Sequence, residues 1–292
     1  MSQLNSSPQP IIAFHPAFNR DIVPAVFSVE GVGFKVDVAL LTGHSDVLRG
    51  MFLDARDIGL PGEGSAEHPI VVPWCTAAAF ANFLGWLTHV PWEKSKDNQI
   101  SRVLDILHIC HSFEIQAGVD YAGEELDRLR IRPAHRIFLA GRYGLIHWVG
   151  DAVRTLLTNP LSTLEASDRS FLCSEALFLL TQTKEEIDQA RRRLAIFPPR
   201  PPPDSAPHCE QHKACHTVFE ERWLFIVTRR VLSTLNPIAL TAIPSLLRES
   251  DIPGMADSCK DYVAEWLEGS DRLIVEEDLV TSAIEKMEAL CR

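Results

Sequence analysis

The sequence has no long apolar run and no leader-like beginning. No stretch approaches the roughly eighteen uninterrupted apolar residues that indicate a membrane-spanning helix. The first ten residues, MSQLNSSPQP, are polar, whereas a secretory signal has a basic start followed by an apolar core. We therefore expect no membrane span, no secretion, and a location in the cytoplasm or nucleus.

Motifs of the common catalytic sites are also missing. There is no Gly-x-Ser-x-Gly, no His-Glu-x-x-His, and the 15 glycines are spread thinly instead of forming a phosphate-binding loop. The 39 acidic residues outnumber the 28 lysines and arginines, and the net charge of −11 repels phosphate. These absences predict a protein that is not an enzyme, binds no cofactor and does not contact nucleic acid directly.

The composition that remains is that of a folded protein, with 46% hydrophobic and 23% charged residues. Seven cysteines are scattered along the chain, and most of them stand inside apolar helical patterns. Their number is odd and their spacing irregular. Buried thiols in a reducing compartment explain them better than a disulfide framework does.

Strand signals are concentrated near the N-terminus. Two β-rich segments, 25–29 and 32–36, flank Glu30-Gly31, which predicts a hairpin with a tight turn. A short apolar segment between Pro69 and Pro73 predicts a strand at a sheet edge. Helical periodicity dominates from residue 93 onward. We therefore predict an α+β fold: a small sheet covered by helices, followed by a largely α-helical region.

Composition shifts divide the chain into five parts. Six prolines within FPPRPPPDSAP exclude a helix there and predict an extended spacer. The predicted parts are a flexible arm (1–20), a compact module (21–92), a helical region (93–196), the proline-rich spacer (197–207) and a C-terminal helical region (208–292). Within the helical region, Thr183 and Glu186 have the spacing of a capping box, which predicts that a helix begins there.

The segment FSVEGVGFKVDVALLTGHSDVLRGMF, residues 27–52, resembles the BTB/POZ domain. The matching features are the second strand at 34–36 and the helix at 45–52, while 68–72 and 79–87 are similar to the strand and helix that follow. The likeness is greatest to BTB proteins of mushroom-forming (basidiomycete) fungi. In those proteins a helical region follows, and residues 140–148 are similar to part of it.

The resemblance implies a non-enzymatic protein-interaction protein that forms a homodimer or docks another protein. It also implies a role as a ubiquitin-ligase adaptor or a transcriptional co-regulator, and the sequence does not separate the two. Self-association in this family uses the segment before the hairpin and the first helices. The corresponding residues here are Ile22, Val23, Leu40, Leu41, Leu48, Met51 and Phe52. The alternative, that each fills the core of the module itself, stays open.

Two positions depart from the family pattern. In many relatives, a charged pocket at the dimer interface pairs an aspartate before the first strand with a basic residue after the second strand. Asp21 stands at about the first place, but Val38 cannot supply the second charge, and Asp37 replaces the usual histidine. We therefore expect no such pocket here, and we expect Asp37 to be a helix cap.

A first alternative function is a zinc-stabilised helical binding domain at 208–292. Cys209, His212 and Cys215, with a flanking histidine, supply the ligand types that zinc prefers. However, zinc ligands usually form two pairs a dozen or so residues apart, and four ligands within a nine-residue stretch do not easily surround one ion. On a helix, Cys215 would also lie off the face shared by Cys209 and His212. The sequence alone therefore predicts no metal at this segment.

A second alternative is a cysteine hydrolase. Cys110-His111 and Cys215-His216 each place a thiol next to an imidazole in sequence. Adjacent side chains diverge on a helix, whereas a nucleophile needs its base within hydrogen-bond reach. Because nothing in the sequence marks a base elsewhere, this alternative ranks below the zinc domain.

Overall fold

The computed structural model describes residues 24–57, 64–89, 99–201, 209, 211–233 and 236–292, with only the backbone for 54–57. The chain divides into two compact units, 1–130 and 131–292. The first unit therefore includes two helices between 99 and 128 that the sequence analysis had grouped with the helical region 93–196.

The first unit is built on a three-stranded mixed sheet. The strands are β1 (Pro24–Val29), β2 (Val32–Asp37) and β3 (Ile70–Val71), in the order β2-β1-β3. β1 pairs antiparallel with β2 and parallel with β3, so β3 is an edge strand, as its flanking prolines predicted. The helices are α1 (Val38–Thr42), α2 (Asp46–Asp57), α3 (Ala77–Leu87), α4 (Gln99–Ser112) and α5 (Gln116–Arg128). The predicted α+β fold class is confirmed.

The hairpin closes through the predicted two-residue turn. Val29 pairs with Val32, and both intervening residues have positive φ, 50° at Glu30 and 78° at Gly31. This combination is a type I′ turn, whose twist matches that of the two strands. The turn also sets which side chains of β1 face the core, where Phe27 is 1% exposed.

Two helix caps position the helices around this sheet. Ser45 Oγ accepts the Leu48 N–H at 3.0 Å at the start of α2, and it donates to the Phe113 carbonyl at 2.5 Å. Thr76 Oγ1 accepts the Ala79 N–H at 3.1 Å at the start of α3. Ser45 thus joins the start of α2 to the segment that follows α4. Because its side chain is buried, this polar contact is protected from competing water.

The second unit is entirely helical over its described residues. Its helices are α6 (Pro133–Tyr143), α7 (Val149–Thr158), α8 (Ala166–Phe171), α9 (Ser174–Ile196), α10 (His212–Trp223), α11 (Arg229–Val231), α12 (Ile243–Glu249), α13 (Asp257–Glu268) and α14 (Asp271–Cys291). A π-helical turn, Leu224–Thr228, joins α10 to α11. Short 3₁₀ turns lie at Ile146–Trp148, Leu161–Thr163 and Leu240–Ala242.

Helix α9 corrects the predicted helix start at Thr183. The helix runs unbroken for 23 residues from Ser174, and Thr183 is buried in its interior at 5% exposure. A capping signature depends only on local hydrogen bonds, and here the packing of the whole helix outweighs it. The cap is instead Cys173, whose sulfur accepts the Ala176 N–H at 3.4 Å.

The region after the proline-rich segment packs against the end of α9. Trp223 Nε1 donates to the Leu194 carbonyl at 3.2 Å, and Thr228 Oγ1 donates to the Ala195 carbonyl at 2.8 Å. Residues 202–207 of the predicted spacer lie outside the described residues. The helices on its two sides nevertheless belong to one compact unit.

A half-buried ion pair joins α9 to α14. Arg191 Nη2 lies 2.5 Å from Glu276 Oε1, and the two side chains are 11% and 18% exposed. The second carboxylate oxygen of Glu276 accepts from Arg191 Nε at 3.4 Å and from the Leu240 N–H at 3.3 Å. Arg191, the first of three consecutive arginines, therefore joins two helices and the turn at Leu240.

Gly118 is required by the close approach of α4 and α5. A Cβ at this position would lie 2.1 Å from Cys110 Sγ and 2.9 Å from a ring carbon of Trp86. We expect Gly118→Ala to destabilise the chain by about 1–3 kcal/mol, as overpacking of a core does, measured as a lower urea midpoint. Gly150→Ala is the control, since its nearest neighbour would be Ile284 Cγ2 at 4.0 Å. Equal stability of the two variants would contradict this packing.

Loss of Arg191 leaves a half-buried carboxylate on α14 without its partner. We expect Arg191→Met to lower the free energy of unfolding by about 2–3 kcal/mol, less than for a fully buried pair because some solvent reaches both groups. The pair Arg154–Glu277 is the control, because its side chains are 46% and 54% exposed. Arg154→Met should cost no more than about 1 kcal/mol. The assignment fails if urea unfolding shows the same loss for both variants.

Candidate functional site

The residues predicted to mediate self-association divide into buried and exposed groups. Leu41 is 1% exposed and Leu48 is not exposed, so both belong to the core of the first unit. Phe52 is half-buried, and its ring meets that of Phe27 edge-on at 6.4 Å. These three side chains hold α1 and α2 against the sheet. Ile22 and Val23 lie outside the described residues.

The outer side of α2 carries the exposed part of the set. Met51 is 36% exposed, and Val47, one turn before it, is 42% exposed. Residues four apart lie on one face of a helix, so the two side chains form a continuous apolar strip. Gly50 lies on the same face, and a Cβ there would meet no atom within 4 Å. Leu40 on α1 is half-buried. We call Val47, Gly50 and Met51 the outer α2 face.

Asp37 has a structural role in this module. Its Oδ1 accepts the Ala39 N–H at 3.0 Å, which caps α1 as the sequence analysis predicted. Val38, at the position of the family's basic residue, is half-buried, and Asp21 lies outside the described residues.

The second unit brings together three cysteines and one histidine. The ligand atoms of Cys209, His212 and Cys259 all lie within 4.8 Å of one another. Cys215 Sγ is 3.6 Å from Cys209 Sγ, and His212 Nδ1 is 3.5 Å from Cys259 Sγ. Cys215 and Cys259 also pack in one buried cluster. We call these four residues the sulfur–histidine cluster.

Two helix N-termini position this cluster. His212 is the first residue of α10, and Cys215 follows one turn later on the same face. Cys259 lies in the first turn of α13. Cys209 precedes α10, so a single helix does not carry the whole motif. This change of geometry turns Cys215 toward Cys209, whereas a continuous helix would have pointed them apart.

His216, the flanking histidine that the structure describes, lies near a carboxylate of its own helix. His216 Nδ1 lies 3.9 Å from Glu220 Oε1, in the last turns of α10, and Arg200 bonds the same carboxylate oxygen at 2.9 Å. His208 lies outside the described residues. The described fourth member of the cluster is Cys259, which the sequence alone does not connect with this motif. Cys259 follows Cys215 by 44 residues (215 to 259), much more than the dozen or so residues that usually separate zinc ligand pairs, so sequence spacing gave no signal for it.

The electrostatics of the cysteines bear on the hydrolase alternative. Burial raises the pKa of Cys110 to about 12. Burial also raises the pKa of Cys259 to about 12, with the neighbouring thiols of Cys209 and Cys215 adding to the effect. A catalytic cysteine needs the opposite shift, because the thiolate is the nucleophile. All seven cysteines lie in the described part of the chain, and none forms a disulfide.

None of the described helices combines the length and the apolar composition that crossing a bilayer requires.

Comparisons with known proteins give no match. No protein-family model matches the chain, and no curated protein or solved structure shows significant similarity to it.

Thiol labelling tests the assignment of Cys110 as an inert core residue. Cys173 is exposed, whereas Cys110 is buried with a raised pKa. We expect iodoacetamide to label Cys173 in the folded chain more than about tenfold faster than Cys110, because reactivity follows access and thiolate fraction. Peptide mass mapping measures both rates. Cys173→Ser, which keeps an oxygen as the cap of α9, is the control. Fast labelling of Cys110 would contradict the assignment.

Proposed function

We propose that this chain is a non-enzymatic protein-interaction protein whose N-terminal unit self-associates, in the manner of a BTB/POZ module, through the outer α2 face. The observation that supports this proposal is the arrangement of apolar residues on α2. Leu48 and Phe52 anchor the helix inward, while Val47 and Met51 remain exposed on the outer side. A helix that is apolar on two sides has one side left for a partner.

The order of elements supports the comparison with BTB/POZ modules. A hairpin, two short helices, a parallel edge strand and a further helix follow one another in this unit. This is the order that the resemblance of residues 27–52 and their continuation implies. The proposal does not require the family's charged pocket, since Asp37 is engaged as a cap.

The shape of the outer α2 face suits contact with a second helix. Gly50 leaves the backbone accessible between Val47 and Met51, so a partner helix can approach closely. Asp46 and Arg49 flank the apolar strip as an exposed ion pair with a 2.7 Å contact. An apolar centre with a polar rim is the usual layout of an interface. In a homodimer with twofold symmetry, α2 would meet the same face of its own copy.

The proposal places the protein inside the cell, in the cytoplasm or nucleus, in keeping with seven cysteines that form no disulfide. An adaptor for a ubiquitin ligase and a transcriptional co-regulator both use such a module. The partner recognised by the second unit would separate these two roles.

A charge on the outer α2 face tests the proposal. We expect the wild-type chain to sediment with a mass near twice 32.6 kDa, and Met51→Glu to weaken this association by at least about tenfold, or about 1.4 kcal/mol, because a carboxylate would have to be desolvated in an apolar contact. Sedimentation equilibrium across a concentration series measures the constant. Circular dichroism should show an unchanged fold.

Ile274→Glu is the matched control. Ile274 is 44% exposed on α14 in the other unit, so the same charge enters at a comparably exposed helical position. It should leave the association unchanged. A wild-type chain that stays monomeric at tens of micromolar, or equal weakening by both substitutions, would overturn self-association through this face.

A further inference from the structure

We propose that Cys209, His212, Cys215 and Cys259 bind one zinc ion, which joins the start of α10 to the start of α13. Three sulfurs and one imidazole nitrogen are a ligand set typical of structural zinc sites. The site would supply all four ligands from the protein and leave no position for substrate. Its role is therefore to hold the second unit together, and not to catalyse a reaction.

Two of the distances between ligand atoms match the edges of a zinc tetrahedron, and the ligand atoms of Cys209, His212 and Cys259 all lie within 4.8 Å of one another. With zinc–sulfur bonds of about 2.3 Å, two sulfurs of a tetrahedron lie about 3.8 Å apart. With a zinc–nitrogen bond of about 2.0–2.1 Å, a sulfur and a nitrogen lie about 3.6 Å apart. The observed separations are 3.6 Å between the sulfurs of Cys209 and Cys215, and 3.5 Å between Cys259 Sγ and His212 Nδ1. Both pairs thus already have the spacing that a shared ion imposes.

The surroundings of the sulfurs suit thiolate ligands. The Gln211 N–H points to Cys209 Sγ at 3.4 Å, and the Ala256 N–H points to Cys215 Sγ at 3.5 Å. Amide donors of this kind orient ligating sulfurs and offset their negative charge. The N-terminal ends of α10 and α13 add a favourable dipole, because the cluster lies at their first turns.

Two of the four ligands are buried and therefore shielded from solvent, as in structural metal sites. Cys215 and Cys259 are each 5% exposed, and Met255 and Tyr262 pack against them. Cys209 and His212 are half-buried, which leaves a path for the ion to enter. The soft ligand set selects against magnesium and calcium, which prefer oxygen ligands.

A disulfide between Cys209 and Cys215 is the competing use of these thiols. Their sulfurs are 3.6 Å apart, whereas a disulfide requires about 2.05 Å. Such a bond would leave His212 and Cys259 with no role. The two uses are separable, since a disulfide forms only under oxidising conditions and zinc binding requires reduced thiols.

The experiment measures metal content and affinity in the full chain under reducing conditions. We expect one zinc per chain after purification, removal by a chelator, and recovery of one equivalent on titration with zinc. Cobalt in place of zinc should give the intense visible absorption of a tetrahedral thiolate site. Cys259→Ser should weaken zinc binding by more than about 100-fold, since the loss of outer-shell partners alone costs about 10–100-fold.

Cys173→Ser is the matched control, because Cys173 is exposed and lies outside the cluster. It should keep one zinc per chain and the same affinity. If Cys259→Ser fails to fold, the chelator and cobalt measurements on the wild-type chain decide the question. A reduced wild-type chain that takes up no zinc, or takes it up without the tetrahedral cobalt spectrum, would overturn the proposal, as would full zinc binding by Cys259→Ser.

Discussion

The pairing of α9 with α14 is the constraint on which the second unit depends. These are the two longest of its described helices, and each contributes to the two larger apolar clusters of the unit. Leu180 and Ile187 of α9 pack in the first cluster with Val280 of α14, while Leu194 and Leu273 pack in the second. The Arg191–Glu276 pair lies between these two sets along the helices and fixes their register. A sliding of one helix would break the ion pair and uncouple both clusters at once.

This constraint extends to the sulfur–histidine cluster through the second apolar cluster. Glu276 also accepts the Leu240 N–H, which positions the turn leading into α12, and α12 packs against α13. On the other side, Phe219 and Trp223 of α10 pack in the same apolar cluster as residues of α13. The N-termini of α10 and α13 are thereby brought together by burial of apolar surface. A zinc ion would add metal–ligand bonds between the start of α10 and the start of α13, which packing already holds close together.

In the first unit, the decisive constraint is the small size of the sheet. Three strands, one of them two residues long, cover little apolar surface, so the helices, chiefly α3, α4 and α5, supply most of the core. Phe27, Phe80 and Phe83 form its centre. Buried Ser45 then ties α2 to the segment after α4, which fixes the orientation of α2. The outer α2 face is thus presented by a helix that is held from both its inner side and its N-terminus.

Local chemistry accounts for what could be predicted from the sequence. The Glu30-Gly31 turn and the cap at Asp37 each depend on a few neighbouring residues, and both are present as predicted. The edge position of β3 follows from its flanking prolines in the same way. The α+β class follows from the switch between strand and helix periodicity, which is also a local property.

Only the tertiary structure decided which members of equivalent patterns are buried, exposed or brought together. Leu48 and Met51 have the same hydrophobic pattern, yet one is core and the other is surface. Thr183 carries a capping signature, but packing of the surrounding helix overrides it. Cys259 joins Cys209, His212 and Cys215 only because two distant helices pack against each other. Sequence spacing constrains neighbours along one element, whereas contacts between elements depend on how the whole core is filled.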